Sequence, residues 1–168
     1  GGQDQQWLNL SGNIDVLACL IPGSYTLEVY SDASITCGGS VSANNNGSNY
    51  KASFSVGVPL ILTNGGSNLS CRYSTLENAI SALNSASITS PVIITVYGPQ
   101  TAPDGTGYLI TQSGTQSNPI TIEGISSIIT SGLNSSGGEL DAVFKLNGSD
   151  YITIQNFQIS ENNLNINT

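Results

Sequence analysis

The sequence predicts an all-β chain in two parts. The end of an antiparallel β-sandwich spans residues 1–57, and a linker follows at 58–73. The N-terminal cap and first coils of a parallel β-helix then span 74–168. Three observations predict this. Two segments with strict two-residue alternation, Tyr25–Tyr30 and Tyr50–Val56, flank a polar loop. A single amphipathic helix pattern follows at Ser74. After it, apolar segments centred near Ile94, Ile122 and Ile152 recur 28 and 30 residues apart. That spacing lies within the range of stacked repeats, in which each unit covers the next.

The first 57 residues read as strands throughout. Trp7–Leu10 and Asp15–Leu20 are short ones, and Ile21-Pro22-Gly23-Ser24 is a turn in which Pro fixes φ and Gly permits it. Tyr25, Leu27 and Val29 then alternate with Thr26, Glu28 and Tyr30. After the turn-rich SANNNGSN, Tyr50, Ala52, Phe54 and Val56 alternate with Lys51, Ser53 and Ser55. Two matched strands around one loop make an antiparallel pair. A block of this size buries only about 60% of its unfolded surface, so it is expected to be incomplete at its N-terminus or to lean on its neighbour.

Pro59 ends the preceding strand, Leu60-Ile61-Leu62 is a brief one, and Asn64-Gly65-Gly66-Ser67 is the strongest breaker in the chain. Ser74-Thr75-Leu76-Glu77 matches a capping box, with Ser74 at the N-cap and Glu77 reaching back. Leu76, Ala79, Ile80 and Leu83 form one apolar stripe over about ten residues. Strand patterns follow at 91–98, 108–110, 119–124 and 127–130. The clearest stretch is Ala142–Asn162, where AVFKL, YITI and NFQI are separated by tight corners. The first coil of a solenoid exposes unpaired backbone groups and apolar side chains, and a helix laid across that end hides both. The chain opens in a polar GGQDQQ and stops at NLNINT in mid-pattern, so both parts are expected to be truncated.

Two sets of residues carry a family resemblance. LIPGSYTLEVYSD with NNNGSNYKASFSVG resembles the closing strands of sandwich domains in large surface proteins of the Bacteroidetes, and of the bacterial pre-peptidase C-terminal domain. STLENAISALN, PVIITVYG, NPITIEG and FKLNGSDYITIQNFQISEN, in that order, resemble the entry into right-handed, pectate-lyase-like β-helix regions of the same surface proteins. The resemblance implies an adhesin-like, secreted or cell-surface protein exported by the type IX secretion machinery, with cell-surface proteins, glycans or solid surfaces as partners.

Composition narrows the chemistry. Only 8% of residues are charged, against about 25% in an average soluble protein. Eleven acids against three bases (Lys51, Arg72 and Lys145) give a net charge of −8. Nucleic acid is disfavoured, since phosphate contacts need clustered Lys and Arg, and so is a polybasic membrane contact. No apolar run approaches the roughly 20 residues of a bilayer span, so no membrane insertion is expected. The chain has no His, which removes the commonest general base and metal ligand. Of three cysteines, Cys19 and Cys37 flank a strand-like segment and form the candidate disulfide, with Cys71 apart. An extracellular location follows from that reading.

No catalytic residue is assigned. Glu123 with Asp141, or Asp150 with Glu161, are the carboxylate pairs available for glycoside hydrolysis, and each also reads as a solvated turn residue. Asp104 in APDGTGY is the one metal candidate, for Ca²⁺, although it lacks the acidic alternation of a calcium loop. Asn156 is expected at a coil corner, hydrogen-bonded to Asn162 or beyond. The leading expectation is a non-catalytic adhesive segment without a cofactor. The alternative is the N-terminal part of a β-helix polysaccharide lyase or glycoside hydrolase whose active site lies beyond residue 168.

Overall fold

A computed structural model describes residues 19–29, 50–133 and 142–165. The described residues are mostly β-strand, with one short α-helix and no closed barrel, so the chain is all-β. The expected strands at 7–10 and 15–20 fall wholly or mostly outside them. The first strands described are β1 (Gly23–Val29) and β2 (Tyr50–Val56), which pair antiparallel with Gly23 opposite Val56. Tyr25 and Phe54 stack at 5.6 Å between ring centres on one face of this hairpin. On the other, exposed Lys51 reaches Glu28 at 3.1 Å. The apolar face is covered: Leu20, Tyr25, Phe54 and Tyr97 pack against Val56, Leu60 and Leu62.

Residues 58–73, expected as a linker, carry two strands of the main sheet. In β3 (Leu60–Thr63) all three apolar side chains are buried, because both faces are covered. Leu60 and Leu62 face the hairpin, while Ile61 faces the interior. β3 pairs antiparallel with β4 (Arg72–Tyr73), so Leu62 stands opposite Arg72. The breaker sequence between them is a knot rather than a loose loop. Asn64 accepts from the Gly66 and Ile93 amides and donates to the Pro91 carbonyl. Buried Ser67 donates to the Ser90 carbonyl and accepts from the Thr89 and Ser90 amides. Gly66 is required by space, since a Cβ there would lie 2.1 Å from the Pro91 carbonyl oxygen.

This geometry corrects the disulfide. Cys19 bonds Cys71, with Cα atoms 5.5 Å apart, and not Cys37, which lies outside the described residues. Leu20 packs on Leu60 and Leu62, and the Leu62–Arg72 pair places Cys71 at the same point. Chain proximity favoured Cys37; the antiparallel return of β4 favours Cys71.

The helix α1 spans Leu76–Ser85 and buries Leu76, Ala79, Ile80 and Leu83, the expected stripe. Its cap is one residue later than the capping box implies. Thr75 is the extended N-cap residue and accepts from the Asn78 amide at 3.1 Å, so Glu77 is too early to reach back. Ser74 instead accepts from the Asn78 side chain. The buried Gln100 side chain decides the register by accepting from the Leu76 amide, one of the orphan donors of the first turn.

After α1 the chain makes three passes. β5 (Val92–Tyr97) pairs parallel with the first half of β8 (Ile120–Thr130), which pairs parallel with β10 (Ile152–Ser160). Ile94, Ile122 and Ile154 share one row, so the repeat is 28 and then 32 residues. The short β6 (Gln100–Thr101) pairs parallel with the second half of β8. β7 (Tyr108–Ile110) pairs parallel with β9 (Phe144–Leu146). The inward residues of these strands and the α1 stripe form one cluster that includes Ile61, Val92, Ile94, Ile110, Ile120, Ile122 and Ile129. Within it Tyr108, Phe144 and Phe157 make a run of ring contacts at 5.4 and 5.7 Å. Burial, with the charge of Glu77 adding to it, pushes the Tyr108 phenol up to about 12, and its hydroxyl donates to the Thr101 carbonyl.

Segments expected as separate strands, 119–124 with 127–130 and YITI with NFQI, are continuous. Each bends at a left-handed residue instead of breaking: Ser126 at φ 49° and Asn156 at φ 63°, in line with Gly98 at φ 78° in the first pass. The third corner is tighter. Gln155 matches Glu123 and Phe157 matches Ser127, so one residue does the work of three. Gly124 allows this, since a Cβ there would lie 2.6 Å from the Asn156 carbonyl oxygen.

Candidate functional site

The sheet β5–β8–β10 has an inward apolar face and an outward face, and the parallel register arranges the outward side chains in rows. One row is Ile93, Thr121, Thr153; the next is Thr95, Glu123, Gln155; a third is Tyr97 with Ile125. At the corner where each strand begins, Pro91, Pro119 and Tyr151 are in register, and the Val92 and Ile120 amides donate to the Pro119 and Tyr151 carbonyls.

The middle row is a hydrogen-bonded ladder. Thr95 Oγ1 donates to Glu123 Oε1 at 3.3 Å, and Gln155 Nε2 donates to Glu123 Oε2 at 3.1 Å. Each carboxylate oxygen thus joins one neighbouring pass to the middle one. The row continues the other way through Leu62 to Arg72, but there the β1–β2 hairpin lies over Leu62 and its neighbour Leu60. Tyr97 packs into the same hairpin cluster, so among the described residues the hairpin stands as a step beside a floor that opens from Ile93 and Thr95 across β8 and β10. On that floor Thr153 and Gln155 are exposed and Ile125 is 46% exposed.

Of the acidic residues weighed for chemistry, the described ones do not converge. Glu123 is held in the ladder. Asp141 lies outside the described residues. Asp150 and Glu161 flank opposite ends of the nine-residue β10, whereas an inverting pair needs carboxyls ~6.5–9.5 Å apart. Asp150 is bound through its backbone, its amide donating to Ser113 Oγ and its carbonyl accepting from the Gly114 amide. Glu161 accepts from Ser131 Oγ, the Asn162 amide and the Asn165 side chain. The Asn165 bond first, then that from Ser131, hold its carboxyl below the ordinary value. Asp104, the Ca²⁺ candidate, accepts from the Leu133 amide at 2.8 Å and so ties one pass to the next. Among the described residues no group of three or more His, Cys, Asp or Glu converges as a metal site would. Asn156 is at the expected corner, but Asn162 donates to Ser131 instead.

A shallow cleft of about 350 Å³ lies between Pro59, Leu60 and residues 70–74, with Arg72 its one charged lining residue. Among the described residues no helix is long and apolar enough to cross a membrane. Compared with protein-family models, with curated proteins and with solved structures, the chain matches none.

Sequence reasoning missed the Glu123 ladder and the corner Tyr151. The ladder needs the register, which a 28- then 32-residue repeat obscures. The signal for Tyr151 was its place directly after Asn147-Gly148-Ser149-Asp150, where a turn residue would be ordinary.

Proposed function

We propose that this chain is a non-catalytic structural and adhesive segment of a large secreted or cell-surface bacterial protein, in which a β-sandwich segment leads into a right-handed parallel β-helix. In this reading residues 1–57 close the sandwich. Residues 74–168 form the cap and first coils, and export follows the type IX route that the Bacteroidetes resemblance implies. The observation that carries the reading is the use made of three of the described carboxylates. Glu123, Glu161 and Asp104 each accept hydrogen bonds from a neighbouring pass. They hold the stack together and do not converge on a common point where a reacting bond would sit.

Further support comes from the parallel register, which repeats through three passes as a solenoid requires, and from a disulfide suited to an oxidising compartment. Low charge with abundant Asn, Ser and Thr suits a surface that contacts glycans or solid surfaces through hydrogen bonds.

The test is to incubate the chain with immobilised neutral and uronic polysaccharides, following retention and the release of reducing ends together. Retention without release is expected. Reducing ends appearing in proportion to protein added would replace the adhesive reading with an enzymatic one.

A further inference from the structure

We infer that the open outward face of β5, β8 and β10, with Tyr151 at its border, binds a neutral, extended polysaccharide chain. This rests on the adhesive reading and assigns it a face and a ligand class. Three features converge there.

The first is a prepared polar floor. Strands ~4.8 Å apart set one side chain per strand in each row, a repeat of the order of one sugar ring. Thr95 and Gln155 hold both oxygens of Glu123, so the row is fixed before a ligand arrives. Gln155 keeps its carbonyl oxygen for a sugar hydroxyl, and the exposed Thr153 hydroxyl stands one row away.

The second is Tyr151. It is 57% exposed and held at φ 55°, a conformation that costs an aromatic residue energy and that Asn or Gly would adopt more readily. An aromatic ring kept on the surface at a strained corner offers a face to the C–H side of a pyranose. Its register mates Pro91 and Pro119 extend that apolar border across the other two passes.

The third is charge. Glu123 is the only Asp, Glu, Lys or Arg among the β5, β8 and β10 residues of the three rows, and the whole chain carries −8. Arg72 stands at the far end of the row, beyond the hairpin-covered Leu62. A uronate chain would meet repulsion on this floor; a neutral glycan meets donors, acceptors and apolar borders.

The experiment is calorimetric titration of the whole chain with cellohexaose and mannohexaose, and with polygalacturonate as the anionic arm. Tyr151→Asn removes the ring but favours the backbone, so it should keep or raise thermal stability while weakening hexaose binding about tenfold or more, as for an aromatic anchor. Gln155→Ala should weaken it several-fold. Gln158→Ala, on the far side of the Asn156 corner, should change nothing. Hexaose binding that survives both Tyr151→Asn and Gln155→Ala would overturn the assignment of this face and leave the adhesive reading standing. Tighter binding of polygalacturonate than of either hexaose would overturn the neutral class. Failure of every glycan to bind the unaltered chain would overturn the inference, and release of reducing ends from any of them would overturn the non-catalytic reading it rests on.

Discussion

The two ends of the stacked passes are built from similar residues and finished in opposite ways. At the α1 end the edges of β5 and β7 and the start of the helix have partners. β3 pairs antiparallel with β5, and Asn64 completes the Pro91–Ile93 backbone. Gln100 meets the start of α1. Asn84 donates to the Leu109 carbonyl and accepts from the Thr111 amide, so a helix side chain covers the edge of β7 as a strand would. At the β10 end the inward residues are half covered among the described residues. Ile120, Ile122 and Ile129 are fully buried, whereas their register mates Ile152 and Ile154 are half-buried and Ile159 is 53% exposed. β10 is nine residues long and carries no Pro and no charged side chain, the usual devices that protect an edge. The lesson is that the α1 end uses specific side-chain hydrogen bonds, while the inward residues of β10 lack the cover their register mates have among the described residues.

The comparison breaks first at the disulfide. Cys19 and Cys71 close a loop with a separation of 52 residues. On the chain-entropy view such a crosslink stabilises by ~4 kcal/mol, so Cys71→Ser should lower the urea midpoint substantially. Peptide mapping without reduction should recover Cys19 joined to Cys71.

Next come paired truncations in one row. Ile122→Ala should cost about 2–5 kcal/mol, and Ile154→Ala at most about half as much because its site is already half open. Equal losses in urea unfolding would mean that the β10 end is covered in solution.

The N-cap is a smaller effect on the closed side: Thr75→Ala should cost ~1 kcal/mol, with Ser74→Ala costing less. Circular dichroism melts would order them.

The smallest effect is acidic. Because hydrogen bonds hold the Glu161 carboxyl below its ordinary value, its contribution is present above the unfolded value. That contribution is lost as pH falls through the folded one. Since the group is exposed, the loss should be slight. Glu161→Gln should flatten that limb of the stability–pH curve.

Much of the fold was legible because it depends on local pattern. The alternation at Tyr25–Val29 and Tyr50–Val56, and the Leu76–Leu83 stripe, announce their elements without long-range information. What was not legible depends on register. The knot at Asn64–Ser67 looks like a loop until residues 89–93 are set beside it. Cys71 looks isolated until β4 returns along β3. The 32-residue second repeat hides the row that joins Glu123 to Gln155. Ser126 and Asn156 read as strand breaks, yet they bend the strands without interrupting the ladder.

The central claim, a parallel set of strands capped at α1 and, among the described residues, uncovered at β10, is tested most directly by amide hydrogen exchange resolved by NMR. The Ile120 amide donates to the Tyr151 carbonyl. Its register mate Ile152 directs its amide to the side where β10 has no strand among the described residues. The account predicts strong protection at Ile120 and near-unprotected exchange at Ile152. Equal protection at the two would contradict the open end, and rapid exchange at Ile120 would contradict the parallel register itself.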